Sequence, residues 1–232
     1  MAITSLTNQK SGSGKTTVCR TLGETVSSRG RKVLLIDNDP QGNLTRSYFG
    51  DTLPSESVRR TASVTGEGEQ VSPGVSNTVS CYDRDARPQP YKIHENLYLI
   101  GATKALANVA VRPVSGVSEF TEKVTALSRQ FDDILIDCPP GASVLQAAAH
   151  SASQALLIPT FLNKDNVEGV YQQLDTMNAR QQAGHPTLDL LGVVVSAKRT
   201  QYIEAYYCGC QSQREDSRSE SHAAKHCELC TQ

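Results

Sequence analysis

Short apolar runs alternate with longer stretches of helical spacing along this chain. Residues 32–37 read Lys-Val-Leu-Leu-Ile-Asp, a continuous apolar run that ends in a carboxylate. Such a run marks a strand covered on both faces. Residues 134–137 repeat the pattern as Ile-Leu-Ile-Asp, and residues 3–6, 97–101, 155–159 and 188–196 supply further candidate strands. Between them the apolar period changes. Residues 115–129 place Phe120, Val124 and Leu127 on one helical face. Helices are also expected over 16–28, 144–151 and 166–183, and the Ser28-Arg29-Gly30 step reads as a glycine stop for the first. Strand and helix taking turns in this way predicts an α/β fold, a mostly parallel sheet with helices on both faces.

Two stretches break the rhythm. Residues 51–92 are rich in Ser, Thr, Gly, Pro and Arg and read as a polar surface insertion. Residues 201–232 lose apolar periodicity and gain cysteines. The organisation expected is one domain over 1–200, carrying the insertion, then a divergent tail.

Chemistry concentrates where predicted strands end. After the first comes Lys10-Ser11-Gly12-Ser13-Gly14-Lys15-Thr16-Thr17. Two glycines let the backbone curl so that its N–H groups face inward, and a helix beginning near Lys15 adds the positive end of its dipole. This is a phosphate-binding loop. Lys15 reaches the β- and γ-phosphates, and the Thr16 hydroxyl sits on a magnesium ion. The second strand runs into Asp37-Asn38-Asp39-Pro40-Gln41-Gly42-Asn43, and the later one into Asp137-Cys138-Pro139-Pro140-Gly141. Carboxylates at the carboxyl edge of such a sheet lie where ligands bind. An aspartate ending an apolar strand is also the form of a Walker B residue, which accepts from magnesium-bound water.

The loop departs from the general P-loop pattern at Gln9, where a glycine is usual, and carries the additional Lys10. In this it resembles the deviant Walker A loop of the ParA/MinD family, and Lys10 falls on that family's signature lysine. Asp37-Asn38-Asp39-Pro40-Gln41-Gly42-Asn43-Leu44-Thr45 and Asp137-Cys138-Pro139-Pro140-Gly141 are similar to two further signatures of the ParA/Soj branch. Ser11, where glycine is typical, would be strained if that position needed positive φ. The resemblance covers residues 1 to about 200 apart from the insertion, and it implies a P-loop ATPase of the deviant Walker A type. By resemblance Lys10, Lys15 and Asp39 are catalytic, with Asp39 orienting the attacking water. The loop from Lys10 through Ser11, Gly12, Ser13, Gly14, Lys15 and Thr16 to Thr17 holds ATP. Thr16, Asp37 and Asp137 serve Mg²⁺ largely through water, and Asp37 supports either the metal or the loop. Members similar to this chain form nucleotide-sandwich dimers in which the signature lysine reaches the partner's phosphates. The implied activity is slow ATP hydrolysis that drives dimerisation and plasmid or chromosome segregation. Non-specific DNA and a centromere-binding stimulating protein are the implied partners. A MinD-like switch on a membrane and an inactive nucleotide-binding relative are the alternatives.

The tail does not resemble the family. Cys208, Cys210, Cys227 and Cys230 are spaced for a four-thiolate zinc site, or are incidental cysteines of a divergent end. Cys19 reads as a packing residue, Cys138 as a position after the strand-end aspartate that tolerates small residues, and His150 as a cap or surface residue.

The bulk properties narrow the field. With 23 Lys+Arg against 24 Asp+Glu the formal net charge is -1, so any DNA contact needs a local basic patch. Lys198 and Arg199 are one candidate pair. No apolar stretch approaches the roughly 20 residues of a membrane span, and the amino end has no export signal. A cytoplasmic protein, nucleoid-associated if it binds DNA, is the expectation.

Overall fold

The computed structural model describes residues 2–50, 77–111, 116–182 and 188–196. Lys198, Arg199 and the four tail cysteines therefore lie outside the described residues.

Among the described residues a seven-stranded sheet forms the centre. Its strands in chain order are β1 (Ala2–Leu6), β2 (Val33–Asp37), β3 (Tyr91–His94), β4 (Leu97–Ile100), β5 (Asp133–Asp137), β6 (Ala155–Phe161) and β7 (Asp189–Ser196). In space they stand as β3-β4-β2-β5-β1-β6-β7, parallel except for β3, which pairs antiparallel with β4. The helices are α1 (Lys15–Ser28), α2 (Asn43–Phe49), α3 (Leu106–Ala110), α4 (Gly116–Leu127), α5 (Val144–Ala152) and α6 (Lys164–Gln182).

Every residue of β2 is buried, as its unbroken apolar run predicts. Two cores flank the sheet. One gathers Ile3, Leu34, Ile36, Ile134 and Ile136 beneath Phe120, Val124 and Leu127 of α4 and Leu145 and Ala148 of α5. The other gathers Leu6, Leu35, Leu99 and Leu135 beneath Cys19 of α1 and Leu44 of α2. The alternation within each strand sends successive side chains to opposite cores, so both helical layers are needed to cover it. The stop after α1 is as expected: Gly30 takes φ +85° and its N–H donates to Ser27 O at 3.0 Å.

The polar stretch expected over 51–92 is not surface throughout. Asn77 caps the 3₁₀ turn Thr78–Tyr82, and Tyr82 stacks on Phe120 with ring centroids 4.8 Å apart. Thr78 Oγ1 donates to Asp37 O at 2.6 Å, and Tyr82 OH donates to Asn38 Oδ1 at 2.9 Å. This turn is therefore part of the wall behind the second motif. Farther on, Tyr91–His94 alternates half-buried and exposed residues, the period of a strand with one wet face. His150, expected as a cap or surface residue, is fully buried in α5, as are Cys19 in α1 and Cys138 just after β5.

Candidate nucleotide-binding site

Strand order creates the site. Because β5 lies between β1 and β2, the register sets Asp137 directly beside Leu6 on one side and Asp37 on the other. The three segments singled out in the sequence thus leave the same edge of the sheet next to one another. That edge is the carboxyl one, where parallel α/β sheets bind ligands.

The loop after β1 turns on Gly12 at φ +71° and Gly14 at φ +89°. Ser11 is not strained: among the described residues Asn96 is the one non-glycine at positive φ. Gly14 precedes α1 without a side-chain cap, so the first-turn amides of Lys15, Thr16 and Thr17 have no intrahelical acceptor and face a groove of about 690 Å³. Ser11 through Thr17 and Asp39 line that groove. Lys10 does not. It stands half-buried at the base of the loop, its N–H donating to Asn8 Oδ1 at 2.9 Å.

Lys15 is buried, and the hydrogen bonds of its ammonium go to Asn8 O at 3.3 Å, Lys10 O at 3.1 Å and Ser13 Oγ at 3.4 Å. All three acceptors are neutral. Burial pulls its pKa down, while the nearby charges of Asp137 and Asp39 oppose that shift. A buried cation beside uncapped amides is a built anion site.

The carboxylates divide their work. Thr16 Oγ1 donates to Asp137 Oδ2 at 2.7 Å, while the buried Asp137 Oδ1 has no protein partner among the described residues. Burial first, and then the charge of Asp37, push the Asp137 carboxyl well above its ordinary value. An orphaned, desolvated carboxylate oxygen next to a threonine hydroxyl fits a hard divalent cation that keeps several waters. Asp37 is otherwise engaged. Its Oδ2 accepts from Thr45 N at 2.8 Å and Thr45 Oγ1 at 2.6 Å, and its Oδ1 accepts from Asp39 N at 3.2 Å. Of the two roles open to it, these bonds favour support of the loop. Asp39 in turn accepts from Gln41 N at 2.9 Å, an Asx turn that leaves its carboxylate on the groove wall.

Burial raises the Asp37 carboxyl to about 6, against the opposing bonds from Thr45. A carboxyl raised in the fold holds its proton more tightly folded than unfolded. Its stabilising contribution is therefore present at low pH and lost as pH rises through about 6. The nucleotide-free protein is expected to lose melting temperature across that window, and Asp37→Asn should flatten the loss. Thermal melts at matched ionic strength check this, and an unchanged slope in the variant would contradict it.

Asn8, Thr45 and Thr78 support the site without having been singled out in the sequence. Asn8 adjoins the loop, and Thr45 closes the second motif, so position alone flagged both. Thr78 lies 41 residues from its acceptor at Asp37 and gave no local signal.

The AAA_31 family model, described as an AAA domain, matches residues 1–190. The sporulation initiation inhibitor protein Soj of Bacillus subtilis is 30% identical over 197 residues, covering 84% of this chain and 72% of Soj. The chromosome partitioning protein ParA of Caulobacter vibrioides is 30% identical over 200 residues, covering 84% of this chain and 69% of ParA. Among solved structures, cobyrinic acid a,c-diamide synthase of Mycobacterium smegmatis with bound ADP and magnesium is 26% identical at a TM-score of 0.70, covering 92% of this chain and 82% of that one. With its sheet order, its loop of uncapped amides and these matches over most of its length, the chain belongs to the AAA_31 family of P-loop ATPases, in the company of the Soj and ParA partition proteins.

Proposed function

We propose that this chain binds and hydrolyses ATP with Mg²⁺, and that the nucleotide cycle drives its dimerisation and the segregation of DNA. One observation carries the reading: the buried Lys15 ammonium is held by neutral oxygens only, at the mouth of a loop whose amides point into the groove. None of the ammonium's hydrogen-bond partners is an anion, and a triphosphate supplies one.

The chain's own groups then divide the chemistry. The amides of 12–17 and Lys15 fix the β- and γ-phosphates. Thr16 and Asp137 would hold Mg²⁺, which neutralises charge on those phosphates when bound. Asp39 accepts a hydrogen bond from the attacking water and aligns its oxygen on the γ-phosphorus. As the new P–O bond forms, the bond to the bridging oxygen of ADP breaks, and the proton shed by the water ends on the released inorganic phosphate. Lys10, by the family resemblance, reaches the partner's phosphates in the dimer and stabilises the charge that develops there. Hydrolysis is expected to be slow until a centromere-binding partner completes the arrangement. A dimer on DNA needs a local basic patch, since the formal net charge is -1.

Sedimentation with non-specific duplex DNA tests the reading, with phosphate release measured in the same samples. Co-sedimentation with Mg–ATP and its loss with Mg–ADP is the expected result. Equal sedimentation in both nucleotides, or none in either, would overturn the DNA part of the reading. No helix among the described residues is long and apolar enough to cross a membrane. Liposome binding that depends on ATP would move the reading to a membrane switch.

A further inference from the structure

Helix α6 approaches the phosphate loop at a glycine. Gly169 lies inside the helix, where glycine is less favourable than alanine by roughly 1 kcal/mol. Its φ is not positive, so the backbone conformation does not require it. Contact does. A Cβ built on Gly169 falls inside the van der Waals surface of Asn8 Oδ1 and stands 3.0 Å from Lys10 Cγ. Asn166, Gly169 and Gln173 share one buried side of the helix at helical spacing. The helix is thus pressed against the start of the loop at its one residue without a side chain there.

Asn8 is not free to move aside. It is fully buried, its Nδ2 donates to Pro159 O at 2.9 Å, and its Oδ1 accepts from Lys10 N at 2.9 Å. Its own carbonyl accepts from Lys15 Nζ. A displacement of the Asn8 amide therefore reaches Lys10 through one hydrogen bond.

We propose that Gly169 and Asn8 together form a seat that positions Lys10: the bare Cα of α6 lets the Asn8 amide lie flat, and that amide fixes the backbone from which the Lys10 side chain departs. Gly169 is a positioning residue and touches no substrate. The consequence for turnover rests on the ATPase reading and on the role given there to Lys10. The seat itself does not.

Two readouts keep these apart. The first is brief amine acetylation of the full chain without nucleotide, with Lys10 modification quantified by peptide mass spectrometry relative to the exposed Lys92. Gly169→Ala should raise Lys10 labelling severalfold, and Asn8→Ala should do the same by the other route. The double variant should exceed Asn8→Ala by less than the full Gly169→Ala factor, because the added methyl then has no amide to displace and keeps only its contact with Lys10 Cγ. The second readout is ATP turnover. In Gly169→Ala, kcat should fall by about 10- to 100-fold, the range for a misplaced catalytic group, with Mg–ADP affinity retained. Gly23→Ala is the control for mere overpacking. Its Cβ would meet Leu35 Cδ2 at 2.6 Å in the core, so it should lower the melting temperature and leave Lys10 labelling as in the parent.

Unchanged Lys10 labelling in both single variants overturns the seat. A double variant whose labelling exceeds that of Asn8→Ala by the full Gly169→Ala factor overturns transmission through Asn8. If labelling responds as expected but the parent hydrolyses no ATP, the seat stands and the ATPase reading falls.

Discussion

Lys15→Met should abolish detectable nucleotide binding while leaving the nucleotide-free protein at least as stable as the parent. The two effects have opposite signs for one reason. In the free protein the ammonium is buried among neutral acceptors, and burial lowers its pKa. Burial outweighs the relief from Asp137 and Asp39, so an apolar side chain of similar length removes a cost. In the complex the same desolvated charge meets phosphate oxygens, and truncating one side of such a pair costs about 2–5 kcal/mol. Affinity should therefore fall on the order of 100-fold or more. Thermal melts read both effects at once. Mg–ADP should raise the melting temperature of the parent by mass action and leave the variant unmoved. A variant that is both destabilised and still shifted by nucleotide would show that Lys15 is a structural lysine.

Asp39→Asn should do the reverse, keeping affinity and stopping turnover. The substitution retains an oxygen to accept from Gln41 N, so the Asx turn and the following Gly42 corner survive. It removes the negative charge that orients the attacking water. Loss of a positioned acid–base group lowers rates by about 10²- to 10⁴-fold, and that range is expected for kcat, with Kd for Mg–ATP unchanged. Single-turnover hydrolysis alongside equilibrium binding separates the two. Parent-like hydrolysis in Asp39→Asn would remove Asp39 from the chemistry.

Much of this architecture was readable from local pattern. The buried runs at 33–37 and 134–137 end in carboxylates because a parallel strand is apolar until it emerges at the ligand edge. The glycines at 12 and 14 precede a helix because the loop has to turn through positive φ. These signals are local, and local signals survive in a sequence. What escaped was long-range or masked by composition. Thr78–Tyr82 reads as surface because Ser, Thr and Asn dominate around it, yet the Thr78 and Tyr82 hydroxyls donate to the motif of β2 while the Asn77 amide caps the turn. The strand Tyr91–His94 is short, and its alternation lay inside a polar stretch. His150 reads as a cap or surface residue from its place near a helix end, whereas it is fully buried in α5. Gly169 could not be found at all, since its reason is an asparagine some 160 residues earlier in the chain.

The same contrast applies to the site. The sequence pattern assigns Lys10 through Thr17 and Asp39 to one site; Ser11 through Thr17 and Asp39 line one groove, whereas Lys10 stands at the base of the loop. It did not separate the two strand-end aspartates. Only the hydrogen bonds do that, occupying Asp37 with Thr45 and Asp39 while Asp137 Oδ1 stays open. Fold alone would not choose among chemistries, because the chain is also similar in structure to a diamide synthase. The choice rests on the residues in the groove.

A structure of the full chain with Mg²⁺ and a non-hydrolysable ATP analogue tests the central claim most directly. The account predicts the triphosphate in the curl of residues 11–17, with Lys15 Nζ turned from the carbonyls of Asn8 and Lys10 onto its oxygens and the metal beside Thr16 and Asp137. An analogue bound elsewhere, with Lys15 still hydrogen-bonded to those carbonyls, would contradict it.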